Sequence, residues 1–364
     1  MSEKPRNAKD LLNRAEKSGL EFELSRVRAD AAKWRRKHAD AMAAAKTFEA
    51  QVNALLAIED NPIIQNFERQ KRQKGKSEGV AAIVPATDWH VEERIEPDQV
   101  NFKNAHNLTL AEKKIKRFYA KILRLLDWQN SFAPVTELWH PLLGDLLSGY
   151  IHEELEESNE LSPTEASVFL QEMLCSGIDL LLRETKLPIF IPTCQGNHGR
   201  TTPRKRIKTS YKNSYEWLLY MTLARFYRRN NRVHLDVGRG YHNTQTIMGR
   251  KVRFHHGDGL RYQGGVGGIT IPVNKAIAQW NKAGEVDFDI FGHWHTHLVN
   301  YPTWISCGSL MGYSEYSVEI KADFQHPTQT WIVIDRNYGL TAALPIFVTQ
   351  AGINYKLKKY RRAS

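Results

Sequence analysis

Cysteine is scarce in this chain: three in 364 residues, Cys175, Cys194 and Cys307, with no paired spacing. That excludes a disulfide-stapled scaffold and a thiolate-rich zinc site, and it fits a reducing, cytoplasmic setting. No apolar run approaches the roughly 20 residues that cross a bilayer, so no membrane span is expected. The first ten residues, MSEKPRNAKD, carry no signal-peptide core. The stretch Gly264-Gly265-Val266-Gly267-Gly268 has no GxxxxGK pattern, which excludes a nucleotide P-loop and leaves a flexible loop, placed to touch substrate. Acidic residues are in deficit as well. With 51 Lys and Arg against 40 Asp and Glu, the net charge is +11. An excess of that sign favours association with a polyanion.

What the chain does have is one local pattern used five times: a short β-like run that ends in Asp, Asn or His. Ala81 to Thr87 leads into Asp88-Trp89-His90, and Glu137 to Leu143 into Gly144-Asp145. Leu187 to Gln195 leads into Gly196-Asn197-His198, and Lys251 to Phe254 into His255-His256-Gly257-Asp258. The run Val286 to Phe291 leads into Gly292-His293-Trp294-His295. Short apolar runs separated by helical stretches predict an α/β sandwich with largely buried strands. In open α/β sheets ligands collect beyond the carboxyl ends of strands, where all five polar blocks fall. Glycine before Asp145, Asn197 and His293 suits a sharp exit with close backbone approach.

Carboxylate, imidazole and one amide oxygen make a mixed O/N donor set without thiolate. Such a set suits Mn, Fe, Zn or Mg, and two ions sharing a carboxylate can clamp a phosphoryl group. Taken singly, each residue has a plainer reading: Asp145 as a helix N-cap, Asn197 in a left-handed turn, Asp88 and His90 in a surface turn. Jointly and in order, they point to metal-dependent phosphoester hydrolysis. His140, His152, His255 and His297 are read as packing, supporting or surface residues.

The ordered set DxH, GD, GNH, HG and GHxH resembles the calcineurin-like metallophosphoesterase superfamily, over roughly residues 80 to 320. The phrases Ser148-Gly149-Tyr150-Ile151-His152-Glu153-Glu154 and Gly199-Arg200-Thr201-Thr202 are most similar to phage-type members related to DNA-repair exonucleases. The resemblance implies a metallophosphoesterase-type β-sandwich, two mixed sheets flanked by helices. It implies one metal on Asp88, His90, Asp145 and His295, and a second on Asp145, Asn197, His256 and His293, with Mn²⁺ the expected ion. His256 is preferred to His255 because the family's histidine directly precedes a glycine. His198 is implied as the acid or stabiliser at the leaving group, with a metal-bridging hydroxide attacking phosphorus. Two positions depart from the pattern: Ser148 and Gly199 stand where many members carry acids. The alternatives are therefore a phosphodiesterase or phosphatase for a small substrate, and a nucleic-acid-binding scaffold whose metal site is inactive.

Positive charge gathers directly after the GNH block, at Arg200, Arg204, Lys205, Arg206, Lys208 and Lys212, interleaved with Tyr211, Tyr215, Trp217 and Tyr220. Basic residues among aromatics suit phosphate contacts and stacking on unpaired bases, so single- or double-stranded DNA is the expected partner. The plainer reading is a solvated face, with the aromatics buried along a helix over 211–229. The expected layout is a helical segment over 1–64, a basic linker over 65–79, the metallophosphoesterase domain over 80–350 and a basic tail over 351–364. Within the first segment Leu20, Leu24, Val27, Ala31, Trp34, His38, Ala41, Ala45, Phe48, Val52 and Leu55 alternate in steps of four and three. That is the coiled-coil repeat, and equally a single amphipathic helix packed on the catalytic domain. Either way it is an interaction element, for a homo-oligomer or a partner protein. The expected location is the cytoplasm, that of the host if the gene is phage-borne.

Overall fold

A computed structural model describes residues 7–60, 79–261 and 268–350. The expected linker over 65–79, apart from Gly79, the tail over 351–364 and residues 264–267 of the glycine-rich stretch lie outside the described residues. The chain divides between Lys74 and Gly75 into two units.

The first unit is helix α1 (Ala8–Asp60), unbroken over 53 residues. No proline interrupts it, and its described side chains are exposed along the whole length.

The second unit contains, in order, β1 (Val80–Ile83), α2 (Leu108–Asn130), β2 (Val135–Trp139), α3 (Glu153–Ser158), α4 (Pro163–Glu184), β3 (Ile189–Thr193), α5 (Tyr215–Tyr227) and β4 (Val233–Val237). It continues with β5 (Asn243–Ile247), β6 (Arg250–His255), α6 (Thr270–Asn281), β7 (Phe288–Phe291), β8 (Leu298–Asn300), β9 (Trp304–Ser306), α7 (Glu315–Glu319), β10 (Thr328–Asp335) and β11 (Gly339–Phe347). One sheet runs β11-β10-β1-β2-β3-β4 and the other β5-β6-β7-β9-β8. Both are mixed. β1 to β4 are mutually parallel, β10 runs antiparallel to β1 and β11 antiparallel to β10, while β6, β7 and β9 are parallel between antiparallel β5 and β8. This is the expected α/β sandwich of two mixed sheets flanked by helices.

Alternation along the strands divides the core in two. Ala81 and Ile83 of β1 face the second sheet and pack with Val252, Phe254, Phe288, Ile290 and Ile332. Val80 and Ala82 face the helices instead, with Phe118 and Ile122 of α2, Leu174 of α4 and Leu223 of α5. Period two sends neighbouring residues to opposite faces. Helix starts are capped: Asn107 accepts from Leu110 N at 2.9 Å, and Ser162 with Glu165 forms a reciprocal box at the start of α4. Caps of this kind contribute about 1 kcal/mol each. They fix the helices that cover the first sheet and thus the ends of its parallel strands.

Candidate metal centre

Every polar block lies just beyond the carboxyl end of a parallel strand. Asp88 and His90 follow β1, Asp145 follows β2, Asn197 and His198 follow β3, His256 follows β6, and His293 and His295 follow β7. Five of these are non-glycine residues in the left-handed region: Asp88 (φ 52°), His90 (45°), Asp145 (52°), His293 (68°) and His295 (52°). Such conformations cost on the order of 1 kcal/mol each and persist only where the surroundings enforce them. The enforcing bonds are present. Asp88 N–H donates to Gly144 O at 3.0 Å and His90 N–H to Asp145 O at 3.2 Å, so the exit of β1 is pinned to that of β2. His293 N–H donates to the Asp88 carboxylate at 2.9 and 3.0 Å, which ties β7 to β1 across the two sheets. Glycine is required where these exits touch. A Cβ on Gly144 would strike the backbone of Gly196, and one on Gly196 would strike Asp145.

The side chains so placed form three overlapping groups, Asp88–His90–His295, His90–Asp145–His198 and Asp145–His256–His293. Within each group the donor atoms lie within 4.8 Å of one another. Asn197 joins through Oδ1, 3.1 Å from His256 Nε2. The seven residues expected to hold metal are thus brought together, with His198 at their edge.

The lone pairs of this cluster point inward with too few protons. His256 Nδ1 lies 2.8 Å from Leu143 O, which makes it the N–H donor and leaves Nε2 facing Asp145 Oδ2 at 2.8 Å. Ser148 donates its hydroxyl proton to Glu93 Oε2 at 2.7 Å and accepts from His90 Nδ1 at 2.9 Å. His90 Nε2 is then a bare acceptor, buried without a hydrogen-bond partner, while Asp145 Oδ2 faces His256 Nε2. Buried acceptors of this kind are costly unless a cation or proton meets them. Their O/N composition and burial fit divalent metal.

Titration behaviour follows from the crowding. Burial opposes a charge on His256, yet the Asp145 carboxylate raises it to about 10. Burial likewise opposes charge on Asp145, but the His256 and His198 imidazoles hold its carboxyl well below the usual range. Burial, then the neighbouring His198 and His295, keeps His90 neutral. Burial and His256 push His293 down to about 4. His295 moves upward, because its bond to Asp88 outweighs burial.

Supporting residues come from outside the motif set. Glu216, buried at the start of α5, accepts from Leu146 N at 2.8 Å and Gly196 N at 2.7 Å, stapling the loop of Asp145 to that of Asn197. Its pKa is pushed up to about 8 by burial and by Asp145. Gly199 is small because a Cβ there would strike the Glu216 side chain. Glu92 Oε1 accepts from Ser148 N at 2.8 Å and Gly149 N at 2.9 Å. Lys114 donates to His106 Nδ1 at 3.0 Å, and His106 Nε2–H in turn donates to the His90 carbonyl at 3.1 Å. In sequence these residues look like first-turn or surface charges. The one signal in the sequence is Ser148, conspicuous as a departure, and its hydroxyl links His90 to Glu93.

His198 is half-buried, with Nδ1 2.9 Å from Ser148 O and its backbone N–H donating to Asp145 Oδ1 at 2.8 Å. The carbonyl fixes the proton on Nδ1 and leaves Nε2 as the exchangeable position. Of the adjacent pair, His256 enters the cluster. His255 points to the other face of β6, among Tyr241, His242, Trp280 and Phe291, 3.4 Å from Asp289. His140 is buried between Val84 O (2.7 Å) and Tyr119 Oη (3.0 Å). His297 bonds Thr330 at 3.1 Å, and His152 is exposed with its ring 6.1 Å from that of His198.

The basic stretch is uneven. Arg200 is turned onto its own loop, donating to Asn197 O at 2.8 Å and Thr202 O at 3.1 Å. Lys205 is bonded to Asp258 and lies 5.2 Å above the Tyr241 ring. Arg204, Arg206, Lys208 and Lys212 are exposed. The Tyr211 ring has the Lys212 ammonium at 5.9 Å and the Arg239 guanidinium at 5.6 Å. Tyr220 is buried, while Tyr215 and Trp217 are partly buried.

Among solved structures the chain is similar to a conserved protein of Streptococcus pneumoniae TIGR4 described as a predicted phosphoesterase, at 11% identity over 72% of this chain and 97% of that one, TM-score 0.28. It is similar to zinc-complexed Vps29 of Entamoeba histolytica, at 12% identity over 74% and 99%, TM-score 0.30. A hypothetical protein of Pyrococcus horikoshii OT3 is matched at 10% identity over 74% and 89%, TM-score 0.36. No family model and no curated protein matches the chain.

Proposed function

We propose that this protein is a dinuclear, divalent-metal-dependent phosphodiester hydrolase that acts on DNA. The observation that carries this reading is the convergence of four histidines, two aspartates and Asn197 in one buried cluster that leaves His90 Nε2 an acceptor without a partner. Asp88, His90, Asp145 and His295 would hold one ion, and Asp145, Asn197, His256 and His293 the other, with Mn²⁺ the ion of choice. Bound there, the ions would supply positive charge to the phosphoryl oxygens and acidify the attacking water. The chain's own residues do the rest. Ser148 and Glu93 hold the His90 ring in the tautomer whose Nε2 is a donor lone pair. Ser148 O orients His198, whose Nε2 can pass a proton to the leaving oxygen.

Support for DNA comes from charge. Arg204, Arg206, Lys208 and Lys212 are exposed in the segment that leaves His198, with Tyr211 among them. The phrases over 148–154 and 199–202 favour the phage-type, exonuclease-related branch of the resemblance. No helix among the described residues is long and apolar enough to cross a membrane. The thiols of Cys194 and Cys307 are buried and free, which fits a cytoplasmic setting.

The test is incubation with Mn²⁺ and labelled linear and circular DNA, single- and double-stranded, beside a His293→Ala control. Cleavage that disappears in the variant supports a nuclease, and cutting of circles makes it an endonuclease. Hydrolysis of bis-p-nitrophenyl phosphate without DNA cleavage would replace DNA by a small diester. Bound metal with no turnover of either substrate would overturn the hydrolase and leave a scaffold.

A further inference from the structure

Helix α1 exposes a long apolar seam among its described side chains, and the charges beside that seam largely complement themselves. The exposed side chains include Val27 at 65%, Trp34 at 72% and Phe48 at 67%, values that belong to a surface awaiting cover. A helix of 53 residues draws most of its stability from a packed face, since backbone propensity alone is weak. The seam gives the register. Leu24, Ala31, His38, Ala45 and Val52 take the a positions of a heptad, and Leu20, Val27, Trp34, Ala41, Phe48 and Leu55 the d positions. The g positions are then Glu23, Asp30, Lys37, Ala44 and Gln51, and the e positions Glu21, Arg28, Arg35, Met42 and Glu49.

We propose that α1 pairs with α1 of a second copy of this chain as a parallel, in-register, two-stranded coiled coil. In that arrangement each g residue meets the e residue five positions on in the other helix. Glu23 then faces Arg28 of the second copy and Asp30 faces Arg35, and two-fold symmetry makes each pair twice. Lys37 meets Met42 and Ala44 meets Glu49, so from Glu23 onward no like charges oppose one another; the one like-charged pair is Glu16 with Glu21, at the start of the seam. Residues five apart do not meet on one helix, so this complementarity has no use within a single α1. His38 at a central a position meets its own copy only when the helices are in register, and one polar a residue is a known means of fixing register. The seam from Leu20 to Leu55 would run about 54 Å at the helical rise of about 1.5 Å per residue.

The test uses the full chain and reads association, so it stands apart from hydrolysis. Val27→Cys places a thiol at a d position. Under mild oxidation it should convert most of the protein to a reducible dimer, while Ala29→Cys, on the outer face, should not. The native thiols give little background, since Cys194 and Cys307 are buried and Cys175 is half-buried. Sedimentation should show a dimer for the wild type. Arg28→Glu with Arg35→Glu should raise the dissociation constant at least tenfold, and adding Glu23→Arg with Asp30→Arg to that chain should restore it. Circular dichroism should stay helical throughout. A monomeric wild type, equal cross-linking at positions 27 and 29, or a dimer that ignores the charge reversals would each overturn the proposal.

Discussion

Asp145 and Arg206 belong to the same unit but to opposite kinds of surface. The Asp145 carboxylate is fully buried, one oxygen accepting from His198 N and the other facing His256, and its loop is stapled by Glu216. Arg206 is exposed, in a stretch whose first arginine is spent on its own turn and whose lysine at 205 is bound to Asp258. A centre held by its neighbours can keep donor atoms in strained positions, which is what binding a small, highly charged ion needs. A loosely held basic edge can follow a long and variable polyanion. Under the proposed function that difference would separate the chemistry from the choice of substrate, and the two should fail separately on mutation.

The largest effect is expected at the centre. Asp145→Asn keeps an acceptor for His198 N–H but loses the charge shared by two of the three donor groups. Calorimetric Mn²⁺ uptake should weaken beyond detection, and turnover of a small diester should fall by about 10³-fold or more. Arg206→Ala should leave that same small-diester turnover within about twofold, since it removes no donor atom. Comparable losses in both would erase the distinction.

One layer below, His140 joins the exit of β1 to α2, and burial holds its pKa down to about 4. In the unfolded chain an imidazole titrates near 6.5. Between those values only the unfolded chain takes the proton. The stability that His140 contributes is therefore full above about pH 6.5, falls as the pH drops toward 4, and changes no further below. This residue alone contributes about 3 kcal/mol to that loss. His140→Gln removes the titration, so its urea-unfolding stability relative to the wild type should rise by that amount on acidification. Parallel pH profiles for the two proteins would show that His140 does not carry the effect.

The strands that end in chemistry were the ones readable from sequence. β1, β2, β3, β6 and β7 each pair an apolar run with an Asp, Asn or His at the exit, and period two then decides which side chains face the cluster. At the end of β6 that alternation sends the His255 ring against Phe291 and the next residue, His256, toward Asn197 in the cluster. β5, with its Asn-Thr-Gln-Thr run, carries no such mark and is a strand because of the neighbour it pairs with; β10 does end an apolar run in Asp335, but it runs antiparallel to β1, which puts that aspartate beside Val80 at the far end from the cluster. The helix expected over 211–229 is split, since Ser214 caps α5 by accepting from Trp217 N at 3.2 Å and the preceding turn is 3₁₀. The bonds that tune the centre were not readable. Glu93 reaches Ser148 across 55 positions and Glu216 reaches Leu146 across 70. No local pattern encodes a contact of that span.

The link from Glu93 to Ser148 sharpens the same contrast from the metal's side. Ser148→Ala leaves His90 Nδ1 without its acceptor and frees the ring to flip, and Glu93→Gln removes the carboxylate that orients the hydroxyl. Either change should weaken Mn²⁺ binding by about 10- to 100-fold, as losses behind a ligating histidine commonly do. Ser148→Thr, which keeps the hydroxyl, should recover most of it. Unchanged affinity in Ser148→Ala would reduce the residue to packing.

The smallest effect should appear in the salt dependence of DNA binding, and it tests the basic edge residue by residue. A cation that neutralises a phosphate releases counterions, so each lost contact lowers the slope of log K against log salt by about 0.9. Arg206→Ala and Lys208→Ala remove exposed charges and should each lower the slope by roughly that amount, with sequence preference unchanged. Lys205→Ala should leave the slope nearly where it was, because that ammonium is already committed to Asp258 and to the face of Tyr241. A full loss of slope at Lys205, with none at Arg206 or Lys208, would place the phosphate path along Asp258 rather than along the exposed loop. Equal losses at all three would mean that the pair to Asp258 opens when DNA binds, and the edge would then be as adaptable as the centre is fixed.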